Sequence, residues 1–237
     1  MKTLVIPDVH NKIHKVDQIL ADTQELQPDE IVFLGDYFDS YHDHPFDALK
    51  TATWLKSSLA FPNRIHLIGN HDAPYIAPGN SSLWCPGYST DKLKVIRSTL
   101  PDEYFDRLQP AHYSNSFLFS HAGAHPDLIA CPVQGLFTPA QLVEKVQDAW
   151  NRVKAGEEHP YFLPGARMGE DRIGGITWVH WHGEFKHYPG INQIVGHTNV
   201  DSPRLIGENE TIDINLDTHL EYVLLITDGV VEFIKTE

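Results

Sequence analysis

Five short apolar runs in this 237-residue chain each end on side chains that can bind metal. Leu4-Val5-Ile6 is followed by Asp8-Val9-His10, and Ile31-Val32-Phe33-Leu34 by Gly35-Asp36-Tyr37-Phe38-Asp39. Ile65-His66-Leu67-Ile68 leads into Gly69-Asn70-His71-Asp72, Phe117-Leu118-Phe119-Ser120 into His121-Ala122-Gly123, and Ile194-Val195 into Gly196-His197-Thr198. A single Asp-x-x-Asp is an ordinary turn or helix cap. Five strand ends carrying Asp, His and Asn are a pattern that independent surface turns do not repeat. Carboxylates mixed with neutral imidazoles and an amide oxygen suit two hard or borderline cations, with one shared carboxylate offsetting their repulsion. Asp8, His10 and Asp36 are expected to hold one ion, and Asp36, Asn70, His121 and His197 the second. Such a pair lowers the pKa of a bridging water, so that hydroxide can attack a phosphate in line while the ions neutralise its oxygens. His71 follows a ligand directly, and neighbouring side chains at a strand end diverge. It is expected to protonate the departing oxygen, with Asp39 orienting its ring; the other readings are a further ligand or a loop-stabilising residue. Asp72 is expected to cap backbone.

Such residues must be held at the carboxyl ends of buried strands, where open α/β sheets keep their sites. Residues 2–7 read as a strand and 13–26 as a helix with Ile13, Val16, Ile19 and Leu20 at helical spacing. A strand at 31–34, a helix at 45–59 with Phe46, Leu49, Ala52 and Leu55 on one face, and a strand at 65–68 complete two successive β-α-β crossovers over residues 1–72. Residues 73–110, with a helix at 90–99, read as a lid or wall. A strand at 116–120 restarts the sheet pattern, and the long stretch at about 124–190, with a helix at 139–153, is expected to form a wall on the substrate side. Short strands at 193–195, 211–216, 221–227 and 230–234 follow, with Thr227-Asp228-Gly229 as a hairpin turn. Parallel crossovers first and antiparallel hairpins later imply two packed sheets in a single domain spanning 1–237.

Lys and Arg number 18 against 32 Asp and Glu, a formal net charge of −14, which disfavours a broad basic face for nucleic acid. The same balance allows a local pocket whose positive charge comes from bound metal. Cys85 and Cys131 stand outside the recurring motifs without Cys-x-x-Cys spacing and read as reduced, non-catalytic thiols, one disulfide being the alternative. The first apolar run reaches Pro7 and Asp8 too soon for a signal peptide or a membrane span, so a cytoplasmic enzyme is the expectation.

In order and in kind, Asp8-x-His10, Gly35-Asp36-x-x-Asp39, Gly69-Asn70-His71-Asp72, Ser120-His121-Ala122-Gly123 and Gly196-His197-Thr198 resemble the five motifs of the calcineurin-like metallophosphoesterase superfamily. The resemblance implies a four-layer α/β/β/α sandwich of two mixed sheets flanked by helices. It also implies a dinuclear centre of two divalent or trivalent ions, manganese first, with iron or zinc as alternatives. Within the superfamily the second and fourth motifs are similar to the Ser/Thr protein phosphatase branch and its diadenosine tetraphosphatase relatives. Three departures bear on substrate. Ser40 stands where protein phosphatases carry a phosphate-clamping Arg, Asp72 stands where they carry Glu, and Asn199 replaces the second His of Gly-His-x-His, leaving the first ion to complete its shell with water. Arg172 and Arg167, near Trp178, are the candidates to replace the missing clamp through a guanidinium fork. A surface Arg172 paired with Asp171 or Glu170 is the other reading. His42, His44, His180, His182 and His187, with Trp178 and Trp181, read as loops packed on the sheet, or else as a specificity wall. The expected activity is hydrolysis of phosphomonoesters, phosphoserine and phosphothreonine included, on a small-molecule, nucleotide or protein substrate. A dinucleoside polyphosphate hydrolase is the alternative, and a phosphodiesterase or a non-catalytic metal-binding scaffold stands behind it. A scaffold would be expected to have lost Asn70, His71 or His197, and all three are present.

Overall fold

A computed structural model of the chain describes residues 1–40, 42–130, 136–169, 171–208 and 211–237. The first half runs β1 (Lys2–Ile6), α1 (Ile13–Asp22), β2 (Glu30–Phe33), α2 (Pro45–Ser58), β3 (Arg64–His66), α3 (Ala73–Ile76), α4 (Thr90–Thr99) and α5 (Asp102–Phe105). The second half runs β4 (Ala111–Ser114), β5 (Phe117–Ser120), α6 (Pro139–Lys154), β6 (Asn192–Val195), β7 (Arg204–Glu208), β8 (Thr211–Asn215), β9 (Tyr222–Thr227) and β10 (Val230–Lys235). One sheet has the order β10-β9-β1-β2-β3 and the other β4-β5-β6-β8-β7. β1, β2 and β3 are parallel neighbours, as are β5, β6 and β8, while β9, β10, β4 and β7 run antiparallel to their partners. Both sheets are therefore mixed.

The layering follows from the two-residue alternation of strand side chains. Val5, Val32 and Leu34 on the first sheet pack with Phe117, Phe119, Ile194 and Ile214 on the second, forming the core between the sheets. Their neighbours Leu4, Ile6, Ile31 and Phe33 point the other way and join Val16, Ile19, Ala52 and Leu55 of the helices; Leu118 and α6, through Leu142, Val146 and Trp150, belong to the same outer cluster.

Local chemistry fixes the element ends. α1 stops at Asp22, short of the predicted 26, because the Thr23 hydroxyl donates to the Ile19 carbonyl at 2.7 Å and Gln27 turns left-handed at φ 48°. α6 starts on a reciprocal cap: Thr138 Oγ1 accepts from the Gln141 amide and Gln141 Oε1 from the Thr138 amide, with Pro139 in the first turn. On α2 the buried side is Ala48, Thr51, Ala52 and Leu55; Phe46 and Leu49, expected on that side, are 64% and 37% exposed, and Lys50 lies over the Phe46 ring. Small residues let this helix pack closely on α4, which a count of large apolar side chains misses. The Asp228-Gly229 turn, both residues at positive φ, joins β9 to β10 as expected from the sequence. The sequence pattern does not reveal β4 or β7. Both are edge strands, and exposed Tyr113, Leu205 and Ile206 interrupt their alternation.

Candidate metal centre

All six parallel strands end at one rim, and the side chains just past them converge there. Asp8 follows β1, Asp36 follows β2, Asn70 follows β3, His121 follows β5 and His197 follows β6. Glycine makes the convergence sterically feasible. A Cβ on Gly69 would lie 2.0 Å from Asp36 Oδ1, and one on Gly196 the same distance from Asp8 Oδ1. Four site residues, His10, Asp36, Asp39 and His197, are held at positive φ between 43° and 65°, the kind of local strain that collects at functional sites.

Asp36, His121 and His197 bring ligand atoms within 4.8 Å of one another, and so do Asp8, His10 and Asp36, so the two sets share Asp36. His121 donates Nδ1–H to the Leu34 carbonyl at 2.9 Å, which turns its Nε2 lone pair inward. That Nε2 lies 3.0 Å from Asn70 Oδ1, 3.2 Å from His197 Nδ1 and 3.3 Å from Asp36 Oδ2. Asn70 Oδ1 and His197 Nδ1 are themselves 2.9 Å apart. His10 repeats the arrangement, with Nδ1 2.6 Å from the Asp39 carbonyl and Nε2 3.5 Å from Asp36 Oδ2. Acceptors thus face acceptors across a buried space. One proton can satisfy one such pair, whereas a cation satisfies all of them, so this donor set fits a metal.

The electrostatics agree. Burial, with the charge of Asp217, pushes the Asp8 carboxyl well above the usual range. Burial would also raise Asp36, but His121, His71 and His10 outweigh it and hold it well below that range. Burial opposes protonation of His121, yet Asp36 and Asp8 carry it up to about 9. Without metal, a proton on His121 is what balances the carboxylates, and metal binding would displace it.

Next to this set, His71 Nδ1 lies 3.2 Å from Asp39 Oδ2, and the His71 backbone N–H donates to Asp36 Oδ1 at 2.9 Å. Burial works to lower the His71 pKa, but the charge of Asp36 and the bonds to Asp39 and Cys85 lift it well above an ordinary histidine. Asp39 Oδ1 accepts from Lys92 Nζ at 2.6 Å and from the Tyr75 hydroxyl at 2.7 Å. Lys92 also donates to both oxygens of Asp43, and Asp43 accepts from Asn11. Asp72 accepts from the backbone amides of Gly69 and Tyr37 at 2.8 Å each, a bond pattern of capping.

Sequence reasoning missed three members of this neighbourhood. Lys92 is buried on α4 with no motif around it. Asp217 could have been found, because it stands just past the end of β8 as the expected ligands stand past their strands. Its buried carboxylate accepts from Asn199 Nδ2 at 2.9 Å, so the residue in the second-His position is turned toward Asp217. Cys85, expected to stand outside the motifs, lies 3.5 Å from His71 Nδ1, because the chain between α3 and α4 folds back over the rim. Arg172 is exposed, outside the buried set, and its carbonyl packs on Gly165. The Arg167 side chain, Cys131 and Glu170 lie outside the described residues. Trp178 and Trp181 are buried, with the Trp178 ring 5.7 Å from that of His197, and His187 pairs with Asp213 at 2.8 Å. Among the described residues no helix is long and apolar enough to cross a membrane.

The profile of the family described as calcineurin-like phosphoesterase matches residues 1–201. Among solved structures, the cold-active protein-tyrosine phosphatase of a psychrophilic Shewanella species superposes with a TM-score of 0.59 at 16% identity, over 99% of this chain and 80% of that one. A chain assigned as a diadenosine tetraphosphatase gives 0.54 at 14% identity, over 100% and 94%. A serine/threonine phosphatase from Saccharomyces cerevisiae gives 0.52 at 13%, over 100% and 80%. At these identities the likeness is one of fold. No curated protein sequence matches significantly.

Proposed function

The chain belongs to the calcineurin-like phosphoesterase family, and from that premise we propose that it is a dinuclear metal-dependent hydrolase of phosphomonoesters, phosphoserine and phosphothreonine included. The observation that carries this reading is the pair of ligand sets sharing Asp36, with the His71–Asp39 pair directly beside them. Asp8, His10 and Asp36 would hold one ion, and Asp36, Asn70, His121 and His197 the other. When bound, such ions supply Lewis acidity to phosphate oxygens and ionise a water at neutral pH. The N and O donors accept manganese, iron or zinc, and manganese is the first choice.

The chain's own groups do the rest. His71 turns Nδ1 to Asp39, which fixes the ring and leaves Nε2 to pass a proton to the departing oxygen. Lys92 and Tyr75 hold the other Asp39 oxygen, so the carboxylate cannot swing away. His10 and His121 direct Nδ1 to backbone carbonyls, which aims Nε2 of each ring at the place of the ions. Arg172 and Arg167 are proposed to grip the phosphate in place of the Arg absent at Ser40, and residues 124–190 to wall the substrate side of a single domain. Manganese-loaded protein assayed with p-nitrophenyl phosphate, its diester analogue and a phosphoserine peptide tests the reading. Monoester turnover ahead of diester is expected, and no metal-dependent turnover of any of the three would refute it.

One observation favours a second substrate. Trp84 is 48% exposed and stacks on Tyr88 with ring centroids 5.1 Å apart, next in sequence to the Cys85 that touches His71. That surface could stack a nucleoside base, as cleavage of a dinucleoside polyphosphate would need. Chromatography of nucleotide products decides between the two.

A further inference from the structure

Cys85 was expected to be a bystander, yet its sulfur sits behind the proposed general acid. Cys85 Sγ lies 3.5 Å from His71 Nδ1 and 3.6 Å from the Asn70 carbonyl oxygen, and that Nδ1 lies 3.2 Å from Asp39 Oδ2. Sγ, Nδ1 and a carboxylate oxygen of Asp39 all lie within 4.8 Å of one another. With Zn–S near 2.3 Å and Zn–N or Zn–O near 2.0–2.1 Å, the edges of a zinc tetrahedron are roughly 3.3–3.6 Å. The Sγ–Nδ1, Sγ–Asn70 O and Nδ1–Oδ2 separations come within about 0.1 Å of those edges. Asp39 is also prepared for such a role, because Lys92 and Tyr75 occupy Oδ1 and leave Oδ2 to the His71 ring.

We propose that Cys85, His71 and Asp39 form an inhibitory Zn²⁺ site, separate from the two-ion centre, with the Asn70 carbonyl or a water as fourth ligand. Thiolate selects zinc over manganese, so the site discriminates against the manganese that the sulfur-free centre accepts. As the Zn–S and Zn–N bonds form, the S–H proton of Cys85 and the Nδ1–H proton of His71 leave to solvent, two protons for one arriving dication. With Nδ1 on zinc instead of carrying a proton toward Asp39, the Nε2–H of His71 is that of a neutral imidazole, a far weaker acid toward the departing oxygen. The inhibition rests on the phosphoesterase reading; the binding does not.

The test adds Zn²⁺, and in parallel Co²⁺, to protein already loaded with excess Mn²⁺. Wild type should take up one further equivalent, show a thiolate-to-cobalt charge-transfer band in the near ultraviolet with Co²⁺, and lose turnover with Zn²⁺. Cys85→Ser should show no band and need roughly tenfold or more zinc for the same fractional inhibition of its own manganese-dependent turnover. Absence of the band in wild type overturns the site without reliance on any variant. Inhibition of Cys85→Ser at the wild-type zinc concentration overturns it as well, since zinc would then be acting at the two-ion centre. Failure to turn over any phosphoester would refute the functional reading alone, and the cobalt band would still decide the site.

Discussion

Lys92→Met keeps the aliphatic stem and deletes an ammonium that donates to one oxygen of Asp39 and both of Asp43. Lys92, Asp39 and Asp43 are all nearly inaccessible, with side chains 6%, 2% and 5% exposed. Burial works against the Lys92 charge, but the two carboxylates more than compensate and raise its pKa. Removing the cation leaves two buried carboxylates, and breaking a buried pair in this way costs about 3–5 kcal/mol. For a chain of this size that is a fall in Tm of roughly 6–20 °C. Calorimetry or urea unfolding of manganese-loaded protein measures it. Adding Asp43→Asn removes one of the orphaned charges and should recover part of the loss, with a coupling of about 0.5–3 kcal/mol. A kinetic signature should accompany it. If Lys92 acts through Asp39 on His71, turnover of an alkyl phosphate, whose leaving group needs a proton, falls further than turnover of p-nitrophenyl phosphate. A loss under about 1 kcal/mol, or equal losses on both substrates, would refute the reasoning.

Asp36→Asn, which alters the carboxylate common to both ligand sets, should lower ion content and turnover together, beyond the roughly 10–100-fold typical of losing a mere outer partner of a ligand; unchanged content measured by atomic emission would count against sharing. His71→Ala should leave ion content near normal and cut turnover of a poorly activated monoester by about 10²–10⁴-fold. Chelation should lower the unfolding temperature, and restoring Mn²⁺ at 100 times its Kd should return about 2.7 kcal/mol per site. Burial and the charges of Arg64 and Arg107 push the His66 pKa down to about 3, so its ring is neutral between Tyr37 and Ser58. The unfolded chain, with an ordinary value near 6.5, binds the extra proton, so stability is full above about 6.5 and drains as pH falls toward 3, by on the order of 4–5 kcal/mol. Urea titrations across that window should show a shallower fall for His66→Gln, whose amide can serve both neighbours.

The sequence disclosed the rim and hid what lies behind it. Asp8, Asp36, Asn70, His121 and His197 were legible because a buried parallel strand leaves an unbroken apolar run, and the residue beyond it stands out. Asp217 obeys the same rule, and Asp217-Thr218-His219 even repeats the Asp8-x-His10 spacing, but polar Asp213 and Asn215 break the apolar run ahead of it. Lys92 and Cys85 reach the site through tertiary folding alone. A buried lysine on an otherwise amphipathic helix carries no local signal, because its partners Asp39 and Asp43 lie some fifty residues earlier. The edge strands β4 and β7 stayed hidden for a related reason: half-solvated strands lose the apolar continuity by which inner ones are recognised.

The ligand sets draw on both halves of the sandwich. Asp8, His10, Asp36 and Asn70 come from loops of the sheet containing β1, β2 and β3, and His121 and His197 from loops of the sheet containing β5 and β6. The core between the sheets is apolar and sets little fine alignment by itself; polar contact across it is made at the strand ends away from the rim, where Glu30 of β2 meets His112 and Ser114 of β4. An ion gripped by Asp36 from one side and by His121 and His197 from the other would act as a rivet, pinning the two slabs in register. A mutation that loosened their contact far from the rim would then register first as leaking metal, before any sign of unfolding.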